Sequence, residues 1–374
     1  MYFPIEEYQR RIGQVRAEMQ RRNLDLLLYF SQEAVCWLSG FYTHGHFAYN
    51  VLGVLAHGEP FLIIRSMETH AAQETSWVSK RYVFNDHEEP TDYVRQAVGE
   101  YGCAQAAIGV DKRSWYLTAK RFEKLQQALP AARFVDENKF LDELRAVKSP
   151  LEIAKVREAA LAVEKTMQAA VAATRTGATE RQIAASMASA RILAGSDLPI
   201  DGVLTTGERT LQGHGAWTDR AVQDGDPFYY EFHSIRDHYW ARIIRSGVIG
   251  TPTAEQRDIA QPLVEAQDAA ISMIRPGALA RDVDAACRER MLASGLYERA
   301  SYTRRTGYCM GMNFRPSPGE MRYEFTATAD FVVQEGMVFF MLVMAKGLGL
   351  GDMVIATRDG AERLTRLPRT FMEV

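Results

Sequence analysis

The spacing of apolar residues changes along the chain and marks out its elements. Tyr8, Ile12, Val15 and Met19 recur at helical spacing with polar residues between them, which predicts an opening helix. Residues 26–30 form an unbroken apolar run and read as a buried strand. Two further apolar runs, 51–55 and 61–64, flank His57-Gly58-Glu59-Pro60, the signature of a hairpin. Residues 107–110 predict another strand, and an amphipathic helix follows near 116–129. This alternation predicts a small α/β domain over residues 1–145.

A second domain is expected over 149–374. Ser149-Pro150-Leu151-Glu152 is a strong helix start: a Ser cap, Pro at the first helical position and Glu three residues after the cap. Ile153, Val156, Ala160, Val163 and Met167 give this helix an apolar face, and Gly177 is placed to end it. The half then repeats itself. Arg175-Thr176-Gly177-Ala178 and Arg275-Pro276-Gly277-Ala278 stand 100 residues apart, as do Gly195 and Gly295. Gln223-Asp224-Gly225-Asp226-Pro227-Phe228 is echoed by Gln334-Glu335-Gly336-Met337-Val338-Phe339 at an offset of 111. Two copies of a helix–helix–strand unit are expected, with an insertion in the second and a cleft between them. Gly347-Leu348-Gly349-Leu350-Gly351 lacks dinucleotide-fingerprint spacing and reads as a turn.

Composition narrows the function classes. The chain has 374 residues, 47% of them hydrophobic, enough for two cored domains. A net charge of −3 and dispersed basic residues argue against nucleic acid or an anionic membrane as partner. The N-terminus does not read as a signal peptide, and the most apolar segment, 337–345, is too short to span a bilayer. Cys36, Cys103, Cys287 and Cys309 are widely spaced, as expected of reduced thiols in a cytoplasmic protein. No P-loop or G-x-S-x-G nucleophile elbow occurs.

The Arg145-x-x-Lys148-Ser149 segment, the duplicated half and the glycine-rich turns resemble the creatinase and aminopeptidase P family over nearly the whole chain. The resemblance implies an α/β (α+β) fold, with a small N-terminal α/β domain and a C-terminal pita-bread domain. It also implies a homodimer whose partner contributes to the active site. Metallopeptidases of the family place two Asp, one His and two Glu around two metal ions. The corresponding positions here carry Glu231, Arg242, Tyr308, Leu342, and Gly351 or Asp352. Leu342 offers no ligand, and Arg242 adds a fixed positive charge, so the expectation is no metal and no other cofactor. His214-Gly215-Ala216-Trp217, the Glu231 strand, Arg305-Thr306-Gly307-Tyr308 and Phe314-Arg315-Pro316-x-x-Gly319-Glu320 resemble the metal-free branch that includes ectoine hydrolase and creatinase. Two departures stand out: Phe340 where that branch carries His, and Arg242 where it carries a small or apolar residue.

The candidate catalytic residues are His214, Glu231 and Tyr308. The resemblance makes His214 a proton shuttle to a leaving nitrogen, against its plain reading as a surface loop histidine. Glu231 sits in the apolar run Phe228-Tyr229-Tyr230-Glu231-Phe232, where a carboxylate is costly unless paired. It is expected to act as nucleophile or general base, or to form a buried ion pair with Arg242. Tyr308 is expected either to hydrogen-bond a carbonyl or developing oxyanion, or simply to pack. Arg242, Arg305 and Arg315 are candidates for a substrate carboxylate, and Asp352 for a substrate cation or a turn cap. Trp217 and Trp240 are candidate pocket walls, against their plainer reading as core residues. His44 and His46 are candidate substrate contacts in a loop that, by the resemblance, reaches an active site across the dimer.

The expected function is metal-independent hydrolysis of a C–N bond in a small zwitterionic or cyclic-amidine substrate. The rivals are an X-Pro peptidase with an atypical metal site and a ligand-binding protein without turnover.

Overall fold

The computed structural model describes the chain except for residues 138–139, 199–201, 298–302 and 318. It divides into two compact units, Met1–Arg145 and Ala146–Val374.

In the first unit the opening helix, Ile5–Arg22, buries Tyr8, Ile12, Val15 and Met19 on one face. Six strands follow: β1 (Leu26–Tyr29), β2 (Val51–Leu55), β3 (Phe61–Arg65), β4 (Lys80–Phe84), β5 (Ala107–Val110) and β6 (Arg133–Asp136). They form a mixed sheet in the order β4-β3-β2-β1-β5-β6. The 51–64 hairpin is antiparallel as expected, and Gly58 adopts φ +113° in its turn. The amphipathic helix is shorter than its apolar pattern predicted. It runs Ala119–Ala128 because the Thr118 side chain accepts from the Arg121 N–H and caps it there.

The second unit is built on its repeat. Helix Pro150–Ala173 opens with the expected capping box: Glu152 accepts from the Ser149 N–H at 2.9 Å, and Ser149 Oγ from the Glu152 N–H at 3.4 Å. It ends at Ala173, a turn before Gly177. A second capping box, Thr253 with Gln256, opens the equivalent helix, Ala254–Met273. Helices Glu180–Leu193 and Ala280–Ala293 complete the two pairs.

The strands are β7 (Val203–Thr206), β8 (Pro227–Arg236), β9 (Tyr239–Val248), β10 (Gly307–Cys309), β11 (Glu320–Phe325), β12 (Val338–Ala345), β13 (Leu348–Thr357), β14 (Gly360–Arg363) and β15 (Met372–Glu373). They line up as β11-β10-β12-β13-β9-β8-β7, with β14 on β13 and β15 on β9. Helix Pro150–Ala173 packs on β8 and β9, and helix Ala254–Met273 on β12 and β13. The halves meet where β9 runs beside β13.

The two repeats share one backbone clasp. The Gly177 N–H donates to Val222 O at 2.9 Å, and the Val222 N–H returns a bond to Ala178 O at 2.8 Å. In the second half Gly277, Val333 and Ala278 make the same two bonds, each at 2.9 Å. Gly177 and Gly277 take φ +85° and +88°, a left-handed conformation that glycine adopts without steric cost.

The glycine run at 347–351 departs from its expected form. Only Lys346-Gly347 makes a turn, and the rest belongs to β13. A Cβ on Gly349 would lie 2.6 Å from the Tyr229 ring, and one on Gly351 would lie 2.7 Å from the Phe340 ring. These glycines are alternate strand positions that make room for aromatic side chains on neighbouring strands.

The most apolar segment of the sequence is the buried strand β12. Among the described residues no helix is long and apolar enough to cross a membrane. All four cysteines are free thiols.

Candidate active site

One row of residues crosses the middle of the second unit. Glu231 on β8 pairs in register with Ile244 on β9, Ile244 with Gly351 on β13, and Gly351 with Leu342 on β12. Both ends of this row line a cavity of about 670 Å³. His214, Arg242, Arg304, Arg305, Tyr308 and Glu324 line the same cavity.

Each side chain has an identifiable origin. Glu231 and Arg242 are diagonal neighbours across the β8–β9 hairpin, the separation at which long charged side chains meet. Arg242 Nη1 donates to Glu231 Oε1 at 3.1 Å and to Tyr308 Oη at 2.9 Å. Tyr229, two residues before Glu231 and on the same strand face, donates its hydroxyl to Glu231 Oε2 at 3.0 Å. Both carboxylate oxygens are therefore held. The Glu231 and Arg242 side chains are 13% and 12% exposed, so this is a mostly buried ion pair. The Tyr229 hydroxyl is pushed well above its ordinary pKa by burial, and then by the Glu231 charge beside it, which keeps it a donor. Burial also raises the Tyr308 hydroxyl, while the Arg242 charge opposes that rise.

His214 sits in a loop on the rim. Gly215 lies so close to Thr205 that a Cβ there would fall 2.3 Å from the Thr205 methyl, and Gly215 O accepts from the Leu204 N–H at 3.2 Å. This ties the loop to β7 and leaves the His214 ring exposed at the cavity mouth.

Trp240 does not line the cavity. It is buried beneath Arg242, with the guanidinium 5.7 Å from its ring and its indole N–H donating to Asn313 O at 2.8 Å. His233 stacks on its ring at 4.8 Å. Burial, then the nearby Arg242 charge, hold the His233 imidazole neutral, with its pKa well below the usual range. Arg315 is exposed, over the Trp240 ring at 5.9 Å, and is not among the cavity-lining residues. Trp217 is half-buried outside the lining. Arg305 lines the cavity but is ion-paired with Glu324.

Asp352 is a correction. It is fully buried, bound to Arg245 Nη2 at 2.8 Å and to the Thr365 hydroxyl at 2.7 Å, and is neither a cavity residue nor a turn cap. The cause is the strand character of residues 348–357, which turns the side chain into the sheet against Arg245. His44 and His46 lie in a loop of the first unit, where the Tyr42 hydroxyl stands 3.4 Å from His44 Nδ1 and His46 packs on Tyr116.

The donor set does not suit a pair of divalent cations. Among the described residues Glu231 and Glu324 are the carboxylates that line this cavity; both oxygens of Glu231 are engaged, Glu324 is paired with Arg305, and Asp352 is turned away against Arg245. Arg242 and Leu342 repel or ignore a cation, and no group of three or more His, Cys, Asp or Glu among the described residues is placed to hold one.

Sequence reasoning missed Tyr229, Arg304, Glu324 and His233. Tyr229 was accessible to it, since strand alternation puts residue 229 on the face of residue 231. Glu324 was not, because its place opposite Tyr308 depends on β10–β11 pairing with a register shift.

Comparison with known proteins adds the family. Residues 154–358 match the model of metallopeptidase family M24, and residues 11–147 that of the creatinase/prolidase N-terminal domain. The chain is 26% identical to the ectoine hydrolase of Halomonas elongata over 98% of its own length and 97% of the relative's. It is 24% identical to an Xaa-Pro dipeptidase of Pyrococcus furiosus, covering 83% of this chain and 94% of that one. Among solved structures, dipeptidase PepE from Mycobacterium ulcerans superposes with a TM-score of 0.86 at 24% identity, covering 100% of this chain and 99% of the other.

Proposed function

Since this chain belongs to metallopeptidase family M24, we propose that it is a hydrolase that has exchanged the metal centre for an organic one. It would cleave a C–N bond in a small zwitterionic cyclic amidine or amide, with ectoine as the leading substrate. The observation that carries this reading is the Glu231 carboxylate, held by Tyr229 and Arg242, on a row whose other end is the hydrocarbon of Leu342.

In this reading Arg242 pairs with the Glu231 carboxylate and fixes its orientation in a mostly buried setting. Glu231 attacks the electrophilic amidine carbon or takes a proton from the water that does. The new C–O bond forms as electron density moves to nitrogen. The Tyr308 hydroxyl, which accepts from Arg242, has its own proton available for the group that gathers negative charge. His214 at the mouth protonates the departing nitrogen, and the ring C–N bond breaks. Water supplies the remaining oxygen and protons, and the product is an amide with a free amine. The ectoine hydrolase relative supports this substrate class.

The Xaa-Pro dipeptidase relatives favour a second reading, cleavage of Xaa-Pro dipeptides with a metal. We further propose that the enzyme acts in the cytoplasm and as a homodimer; light scattering of the purified protein tests the dimer. The deciding experiment is mass-spectrometric turnover of ectoine with and without chelator. Ring-opened product unaffected by chelator is expected. Loss of product with chelator, or cleavage of Xaa-Pro dipeptides instead, overturns the reading.

A further inference from the structure

We propose that Arg304 is the anchor for a substrate carboxylate, making this a site selective for small acids. The inference rests on the hydrolytic reading above and extends it to a residue that the sequence did not single out.

The cavity lining carries three guanidiniums, Arg242, Arg304 and Arg305, and two carboxylates, Glu231 and Glu324. The carboxylates are each paired within the cavity: Glu231 with Arg242 and Glu324 with Arg305. Arg304 is the guanidinium left over. Among the described residues its side chain meets no carboxylate; its hydrogen-bond contact is the thioether of Met344, 3.8 Å from Nη1, and its charge also reaches the Tyr229 hydroxyl. A thioether is a weak acceptor that satisfies little of a guanidinium's five-donor capacity. The cavity is thus one positive charge in excess, and that charge sits on a fork suited to a carboxylate.

The position of Arg304 fits a small molecule. Met344 Sδ lies 3.8 Å from Arg304 Nη1 and 3.6 Å from the Tyr229 hydroxyl, which is itself 3.0 Å from Glu231 Oε2. One thioether and one hydroxyl therefore separate the Arg304 guanidinium from the carboxylate proposed to attack. A compact zwitterion could set its acid on Arg304 and its electrophilic carbon at Glu231. The other arginines considered for this role are less suited: Arg242 and Arg305 are already paired, and Arg315 lies outside the lining. Held this way, the substrate's own charge sets the orientation of the bond that breaks.

The test compares ectoine with its neutral carboxamide, on the full chain and on Arg304→Met, reading turnover and ligand-induced thermal shift. Arg304 is exposed, so the variant should fold; Arg304→Lys keeps the charge and loses the fork. Losing a charge-assisted contact should raise the ectoine concentration for half-saturation about tenfold or more and leave the maximal rate within about threefold. The carboxamide should bind the parent and the Met variant alike, and Lys should restore part of the loss. Equal effects on both ligands, or none on either, overturn the anchor. Ectoine binding that depends on Arg304 without turnover would sink the hydrolytic reading and leave the anchor standing. Absence of both binding and turnover overturns both.

Discussion

Glu231 and Leu342 hold equivalent places in the two repeats, and their cross-strand partners, Ile244 and Gly351, pair with each other at the centre of the sheet. The duplicated scaffold thus presents a carboxylate from one half and an isobutyl group from the other. A two-metal centre needs oxygen ligands from both. We expect activity to survive dialysis against a chelator and to gain nothing from added Mn²⁺ or Zn²⁺. Metal analysis of active protein at sub-stoichiometric content would agree; reactivation by metal would contradict it.

Replacing Glu231 with Gln preserves volume and leaves an amide to meet Arg242. Turnover should fall to background while unfolding free energy stays within about 1–2 kcal/mol of the parent. Urea denaturation alongside the rate assay separates lost chemistry from lost structure. Retained turnover would remove Glu231 from the mechanism.

Arg242→Met poses the opposite problem, since it strands a mostly buried carboxylate. Breaking such a pair costs roughly 3 kcal/mol or more. Adding Glu231→Gln to it should recover part of that loss, giving a coupling on the order of 1–3 kcal/mol in a double-mutant cycle. Additive losses would mean that the pair is energetically idle.

Arg245 and Asp352 form a fully buried pair away from the cavity. The Arg245 guanidinium also meets Ile244 O, Gly351 O, Leu367 O and Pro368 O at 2.7–3.0 Å. Asp352→Ala should destabilise the fold by about 3–5 kcal/mol. The surviving folded enzyme should keep the parent KM, and a changed KM with intact stability would return Asp352 to the site.

The first unit carries its own pH response. Glu137 is buried, accepts from the Tyr29 hydroxyl at 3.2 Å, and has its pKa raised from 4.5 to about 9, first by desolvation and then by the Asp111 charge. A carboxyl whose folded pKa is raised contributes full stability below its unfolded value near 4.5, and that contribution is lost as pH rises toward about 9. Glu137→Gln should therefore raise stability relative to the parent at pH 8 and make little difference at pH 4. Melting curves at the two pH values check the sign.

The sequence resolved some features better than others for physical reasons. The helix start at Ser149 and the hairpin at 51–64 were legible because caps and turns are local. The repeat was legible because Gly177 and Gly277 meet the same left-handed requirement. Arg242 meeting Glu231 was foreseeable from hairpin geometry. The fate of Asp352 was not, because it depends on an Arg245 guanidinium that also gathers carbonyls from the distant residues 351, 367 and 368. The glycine run misled for a related reason: its glycines answer to the Tyr229 and Phe340 rings on other strands, not to a local turn. Arg304 was hidden because its distinction is that, among the described residues, it meets no carboxylate while the two other cavity arginines are paired.

The clasp shared by the two repeats is made wholly of main-chain groups, and none of its residues lines the cavity, so it does not depend on which side chains furnish the site. Such a frame works as a socket. In the proposed reading, the strand faces of such a frame carry hydrocarbon and guanidinium where metallopeptidases of the family carry ligands, and the change from inorganic to organic catalysis is one of side chains on a single face.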